Sequence, residues 1–204
     1  MGRVILTISC LFILSAAGSL WAADQDTPYS IAGVRVDRPV EEFADRLIME
    51  SAMPVRFQGY LKEVELKPVA GIKTGLIAYG NCADPGHIVR IKIKYADPSK
   101  AYFERLLKRF KQRFGDPDEW RGDPFHVLIA WKWSFVDDKG NHISLTLQHN
   151  TQDRDQKMGN AVKLNLNNAI EAERNCYLDK RARQKKDVPQ PAAKLPDWEL
   201  LIPR

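Results

Sequence analysis

Residues 127–150, VLIAWKWSFVDDKGNHISLTLQHN, contain two runs in which apolar and polar residues alternate. In the first run, Trp133 and Phe135 share one face with the apolar residues before them. In the second run, Ile143 and Leu145 share one face in the same way. Because side chains on a strand point alternately to its two sides, this pattern predicts two strands that each bury one face.

The three residues between the runs, Asp138-Lys139-Gly140, predict a hairpin loop with glycine in the left-handed third position. A loop of this length pairs Phe135 with Ile143 and Trp133 with Leu145, which joins apolar to apolar. A two-residue loop would mismatch every pair. Turn chemistry and hydrophobic pattern therefore predict the same antiparallel register.

The rest of the chain offers further strands and helices. Extended segments are predicted at residues 30–39, 56–68, 71–80, 87–97 and 161–169, where apolar and polar residues alternate or glycine and proline bound the run. Apolar residues recur at helical spacing at 39–52 and 97–115, and a last helix is predicted at 169–184.

This order of elements predicts an α+β fold, in which helices pack on one face of an antiparallel β-sheet. The segments EEFADRL and YFERLL open two halves of similar layout. They indicate a tandem α-β-β-β repeat.

Three regions differ in composition. Residues 1–23 have one arginine, then an apolar run and small residues, which is typical of a signal peptide for export; retention as an uncleaved anchor is the alternative. Residues 24–184 have the length of a single α+β domain. Residues 185–204 contain prolines and no sustained period, so we predict a mobile tail. We expect an exported, periplasmic protein with no transmembrane span after signal cleavage.

Two cysteines remain after the signal, Cys82 and Cys176. In an oxidising compartment such a pair is typical of a disulfide. The alternative is a reduced Cys82 that acts as a nucleophile, with His87 as its nearest base in sequence.

Basic and uncharged polar residues share the predicted wet face of the sheet. The chain carries a net charge of +5, and such a face favours an anionic partner. An ordinary solvated face is the alternative. The residues of this candidate site are Arg90, Lys92, Lys94, Lys132 and Lys163.

Two other segments supply candidate binding residues. The loop predicted between residues 116 and 124 contains Asp118, Glu119, Trp120 and Asp123, to which the predicted fold assigns no task. In the tail, Trp198 lies in a short apolar cluster, which is a common device for docking; packing of this segment back onto the domain is the alternative.

Known catalytic and cofactor motifs are missing from the sequence. It has no glycine-rich phosphate loop, serine nucleophile elbow or zinc-protease motif, and its histidine and acidic spacings fit neither a zinc nor a calcium site. We therefore predict no cofactor and no metal site.

The leading hypothesis is a non-catalytic binding or interaction module of the cell envelope. Its partner would be another envelope protein or an anionic envelope component, and not nucleic acid, since export demotes that class. The alternatives are a cysteine-dependent enzyme that uses Cys82 and a purely structural envelope protein.

Overall fold

The computed structural model describes residues 27–125, 127–150 and 159–186. It confirms the predicted fold class, an α+β fold with an antiparallel sheet and packed helices. The large sheet contains β3 Leu47–Val55, β4 Gln58–Leu66, β5 Ile72–Gly80, β6 Ile88–Tyr95, β7 Glu119–Trp120, β8 Leu128–Val136, β9 His142–Asn150 and β10 Gly159–Leu166. A small sheet pairs β1 Ser30–Ile31 with β2 Val34–Arg35, and the helices are α1 Lys100–Phe114 and α2 Asn167–Lys186.

The strands of the large sheet lie in the order β3-β4-β5-β6-β10-β9-β8-β7. The chain runs from one edge to the centre through β6, crosses over with α1, and returns from the other edge through β7 to β10. Every neighbouring pair is antiparallel. Within the large sheet, the two halves of the chain are therefore joined at one seam, the pairing of β6 with β10.

The main hydrophobic core lies on one face of this sheet. At the seam, Ile91 pairs with Leu164 and Ile93 with Val162, and all four side chains are fully buried. Helix α1 covers this cluster with the buried Phe103 and Phe114. Aromatic and aliphatic side chains of β8 and β9 extend the same core toward the far edge.

The β8–β9 hairpin has the predicted register. Phe135 lies opposite Ile143 and Trp133 opposite Leu145, and Gly140 has a φ of 76°. This prediction is confirmed, because a left-handed residue in the loop and apolar side chains on one face require the same alignment.

The prediction of a helix at residues 39–52 is wrong. A short 3-10 turn occupies Val40–Phe43, and β3 then begins at Leu47. Leu47 pairs with Leu66 of β4 and is buried, so pairing at the sheet edge prevails over the local helical pattern. The predicted α-β-β-β repeat therefore lacks its first helix, and each half instead supplies four strands of the large sheet followed by an α-helix.

The two helices pack against different clusters. Helix α1 lies on the main core, whereas Ile170 of α2 packs against a second cluster of Leu61, Ala78 and Val89. Ala78 pairs with Arg90, so this second cluster lies on the polar face of the sheet. Helix α2 therefore covers part of that face and leaves the rest open.

A tyrosine ties the first described residues to the hairpin loop. The hydroxyl of Tyr29 donates a hydrogen bond to Asp137 Oδ2, and Asn141 donates to the same carboxylate. The bond from Tyr29 is the largest cause that lowers the pKa of Asp137 to about 2. Burial, followed by the bond to Asp137, raises the pKa of Tyr29 to about 12.

This pair makes stability depend on pH at both extremes. The pKa of Asp137 is lowered from 3.8, so its contribution is present above pH 3.8 and is lost as pH falls toward 2. The pKa of Tyr29 is raised from 10.0, so its contribution is lost as pH rises toward 12. We expect Tyr29→Phe to be less stable than the wild type at pH 7 and to converge with it at pH 2. Urea unfolding across this range measures the difference, and a pH-independent difference would contradict the assignment.

Candidate functional site

Five cations occupy the open part of the polar face, and we call them the cationic face. They lie opposite the core because each alternates along its strand with buried residues. The ladders of β6, β10, β9 and β8 bring them onto one surface. The members are Arg90, Lys92, Lys94, Lys132 and Lys163, the same five that the sequence pattern singled out.

Lys163 lies at the centre of the cationic face. It pairs with Lys92 on β6 and with Thr146 on β9. Like charges directly opposite each other on a sheet are destabilising. Among the residues that the structure describes, neither Lys92 nor Lys163 has an ion pair or a hydrogen bond to offset this repulsion.

The environment of Lys163 disfavours its charged form. Burial is the largest cause that lowers the pKa of its ammonium group, and the charges of Arg90, Lys92 and Arg121 lower it further. Burial also lowers the pKa of Arg90. A bound anion would reverse the effect on Lys163, because an opposite charge nearby favours the protonated amine.

Other cations of the face have partners. Lys132 Nζ lies 3.3 Å from Glu119 Oε2 at the sheet edge. Arg90 donates from Nε to Asn165 Oδ1 at 3.1 Å and from Nη1 to Gln58 Oε1 at 3.0 Å. Since these two acceptors are neutral, they orient the guanidinium without cancelling its charge. The positive charge is therefore least compensated at the centre of the face.

A small pocket of about 150 Å³ opens on this face. Its volume is below the range of about 300–1,000 Å³ typical of small-molecule sites, so only a small group such as one phosphate or carboxylate would fit in it. Two lysines stand at it among small and uncharged side chains. The lining residues are Thr74, Leu76, Lys92, Lys94, Gln148, Gly159 and Ala161.

Trp120 and Glu119 were predicted in a loop, but they form the short edge strand β7. Trp120 pairs with Trp131, and their rings pack edge to face with centroids 4.7 Å apart. Trp120 remains 37% exposed. Trp120 therefore packs on Trp131 at the edge of the sheet, and part of its ring stays accessible to solvent.

The loop acids also have structural partners. Asp118 Oδ2 accepts a hydrogen bond of 2.6 Å from the backbone nitrogen of Ser134. The carboxylate of Asp123 accepts from the backbone nitrogens of Leu128 and Phe125, and the bond from Leu128 is the largest cause that lowers its pKa. These acids hold the edge of the sheet, and their role in binding stays a prediction.

The structure brings Cys82 and Cys176 to bonding distance. Their Sγ atoms are 2.09 Å apart across a sequence separation of 94. A bonded Cys82 has no thiolate for nucleophilic attack. His87, the base considered for it, instead has Nδ1 2.8 Å from Asp84 Oδ1.

Glu173 was missed by the sequence analysis. Its side chain is only 1% exposed, and its carboxylate accepts backbone hydrogen bonds from Asn81, Cys82 and Asp84 at 3.0, 2.6 and 2.6 Å. Acidic residues are rarely buried, so a glutamate on this helix would ordinarily be expected to point into solvent. The available signal was Cys176, three residues later and thus on the same side of the helix.

Removing either anchor of the 81–84 loop tests this arrangement. We expect the double substitution Cys82→Ser with Cys176→Ser to lower the free energy of unfolding by about 4 kcal/mol, from loop-closure entropy. Glu173→Gln would lower it by about 1–3 kcal/mol, because an amide nitrogen would replace one of the two oxygens that accept the buried backbone hydrogen bonds. The exposed Glu171 supplies the control Glu171→Gln, and urea unfolding measures all three. Equal stabilities of Glu173→Gln and Glu171→Gln would contradict the role of Glu173.

Trp198 and the rest of the predicted tail from residue 187 lie outside the described residues, while the tail's first two residues belong to α2. Within the described ranges, no helix combines the length and the apolar composition needed to cross a bilayer. In those same ranges, histidine, cysteine and acidic side chains nowhere converge in groups of three or more around a metal-sized position.

Comparison of the chain with protein-family models, curated proteins and solved structures finds no match.

Proposed function

We propose that this protein is an exported, non-catalytic binding module that holds an anionic component of the cell envelope on its cationic face. The observation that carries the proposal is the pairing of Lys163 with Lys92. Neither ammonium group has a counter-charge among the described residues. An anionic ligand would supply that counter-charge.

Electrostatic complementarity favours an anion at this position. The repulsion between two adjacent ammonium groups, together with the partial burial of Lys163, disfavours the charged state of the unliganded face. An anion between the two lysines would offset that cost and form charge-assisted hydrogen bonds with both. The ligand therefore interacts most favourably where the protein's own charges are least satisfied.

The geometry favours an anionic group over a bulky apolar ligand. The pocket beside Lys92 and Lys94 holds about 150 Å³, which suits one phosphate or carboxylate. Arg90 adds a guanidinium that neutral side chains hold in place. A headgroup or acidic glycan with several anionic groups would extend from this pocket toward Lys163.

Three features support an envelope location. Residues 1–23 have the composition of an export signal, and the net charge is +5. Cys82 and Cys176 lie at bonding distance, as is typical of proteins in oxidising compartments. A basic protein in such a compartment meets anionic lipids and acidic glycans.

The proposal is tested with Lys163→Met and the matched control Lys108→Met, which removes one exposed lysine from α1. The probes are monomeric dihexanoyl phosphatidylglycerol for phosphate and an oligogalacturonate for carboxylate, each titrated by calorimetry at low salt. We expect Lys163→Met to weaken binding of the preferred probe by roughly ten- to a hundredfold, the loss of one charge-assisted hydrogen bond. Lys108→Met should bind as the wild type does.

The pH dependence gives a second readout. Because burial and neighbouring cations lower the pKa of Lys163, raising the pH should neutralise this lysine before the exposed lysines, and affinity should fall as it does so. Lys163→Arg should remove that fall, since a guanidinium stays charged. Equal weakening by the Lys163 and Lys108 substitutions, or no binding of either probe to the wild type, would overturn the proposal.

A further inference from the structure

A groove of about 750 Å³ lies between the tip of the β3–β4 hairpin and the middle of α2. We call it the hairpin groove. Arginine and aromatic side chains make up most of its lining. Its main lining residues are Arg56, Phe57 and Tyr60 from the hairpin and Arg174, Tyr177 and Arg181 from α2.

The hairpin groove is positively charged. Within the described part of the chain, none of Arg56, Arg174 and Arg181 forms an ion pair or a hydrogen bond. Arg56 Cζ lies 4.8 Å from the ring centroid of Phe57, and Arg181 Cζ lies 5.7 Å from that of Tyr177. A guanidinium held over an aromatic ring keeps its in-plane N–H groups for a carboxylate.

The hairpin groove also exposes apolar surface. Phe57 is 90% exposed and Leu178 is 48% exposed, while the rings of Tyr60 and Tyr177 pack with centroids 6.2 Å apart. Phe57 has a φ of 61°, a left-handed conformation that costs energy for a bulky residue and is often found at binding sites. The surface therefore fits a peptide that presents both acidic and apolar side chains.

We infer that the occupant of the hairpin groove is the chain's own C-terminal segment at residues 197–202, DWELLI. Asp197 and Glu199 would pair with the arginines. Trp198, Leu200 and Leu201 would cover the exposed aromatic and aliphatic side chains. This segment has the chemistry that the groove requires, with acids interleaved among large apolar residues.

The connection is long enough for the segment to reach its own groove. Ten residues, 187–196, separate α2 from the segment, and they span at most about 33 Å when extended. Arg181 and Arg174 precede the end of α2 by roughly 8 and 18 Å of helix. Because the segment is tethered, its effective concentration at the groove is about millimolar, which favours the chain's own segment over that of a second copy.

This contact uses neither Lys92 nor Lys163, so it is independent of the proposed function. It describes a second surface, on which the chain binds a peptide rather than an anionic envelope component.

The test uses the full chain with Trp198 replaced by the photo-cross-linker p-benzoylphenylalanine. After irradiation, peptide mapping identifies the residues attached to position 198, and gel electrophoresis separates monomers from cross-linked dimers. We expect cross-links within one chain to the hairpin tip and to residues 174–181 of α2. Cross-links elsewhere, or only between two chains, would overturn the inference.

Charge reversal tests the chemistry of the contact. In the same cross-linking chain, Arg174→Glu with Arg181→Glu should lower the yield roughly tenfold, since two favourable pairs become repulsive. Arg183→Glu, an exposed position of the same helix outside the groove, should leave the yield unchanged. Adding Asp197→Lys and Glu199→Lys to the double reversal should restore it.

The outcome does not depend on every variant folding. The cross-link map of the chain with native arginines decides the position of the segment by itself. Near-ultraviolet circular dichroism reports whether a reversed variant retains its tertiary packing. A yield that Arg183→Glu lowers as much as the double reversal would overturn the assignment of the groove arginines.

Discussion

The pairing of β6 with β10 is the constraint on which both the fold and the candidate site depend. It joins the two halves of the chain, and it aligns Ile91 with Leu164 and Ile93 with Val162 in the buried core. Because side chains alternate, the same register must place Lys163 opposite Lys92 on the other face. A shift of one residue would bury the lysines, so packing of the core enforces the repulsive pair.

The position of helix α2 determines how much of the polar face of the sheet is exposed. Helix α2 starts directly after β10, and Ile170 packs on the apolar patch around Leu61 and Ala78. Cys176 and the carboxylate of Glu173 then hold the loop after β5. One end of the polar face is therefore covered by a fixed helix, while the region around Lys92 and Lys163 is left to solvent or a ligand.

Local sequence patterns correctly predicted the parts of the structure in which the interacting residues are close together in sequence. The β8–β9 hairpin is such a case, since Gly140 and the alternation on both sides require one register. The helix predicted at residues 39–52 is wrong because strand pairing prevails over their helical spacing. Their partner is distant in sequence, the strand that contains Leu66. The loop predicted at Trp120 is wrong for the same reason. The two residues of this edge strand pair with β8, but they are too few to show a periodic pattern in the sequence.

The sequence by itself determined which side chains share a face, because alternation along a strand depends only on the backbone. It thereby identified Arg90, Lys92, Lys94, Lys132 and Lys163 as one outward set. Only the tertiary structure decided that Lys163 and Lys92 are direct neighbours, that Glu173 is buried beneath a loop, and that arginines of α2 meet the β3–β4 hairpin. Those contacts join residues far apart in sequence, and the pairing of distant strands and helices is set by packing of the whole core rather than by any local pattern.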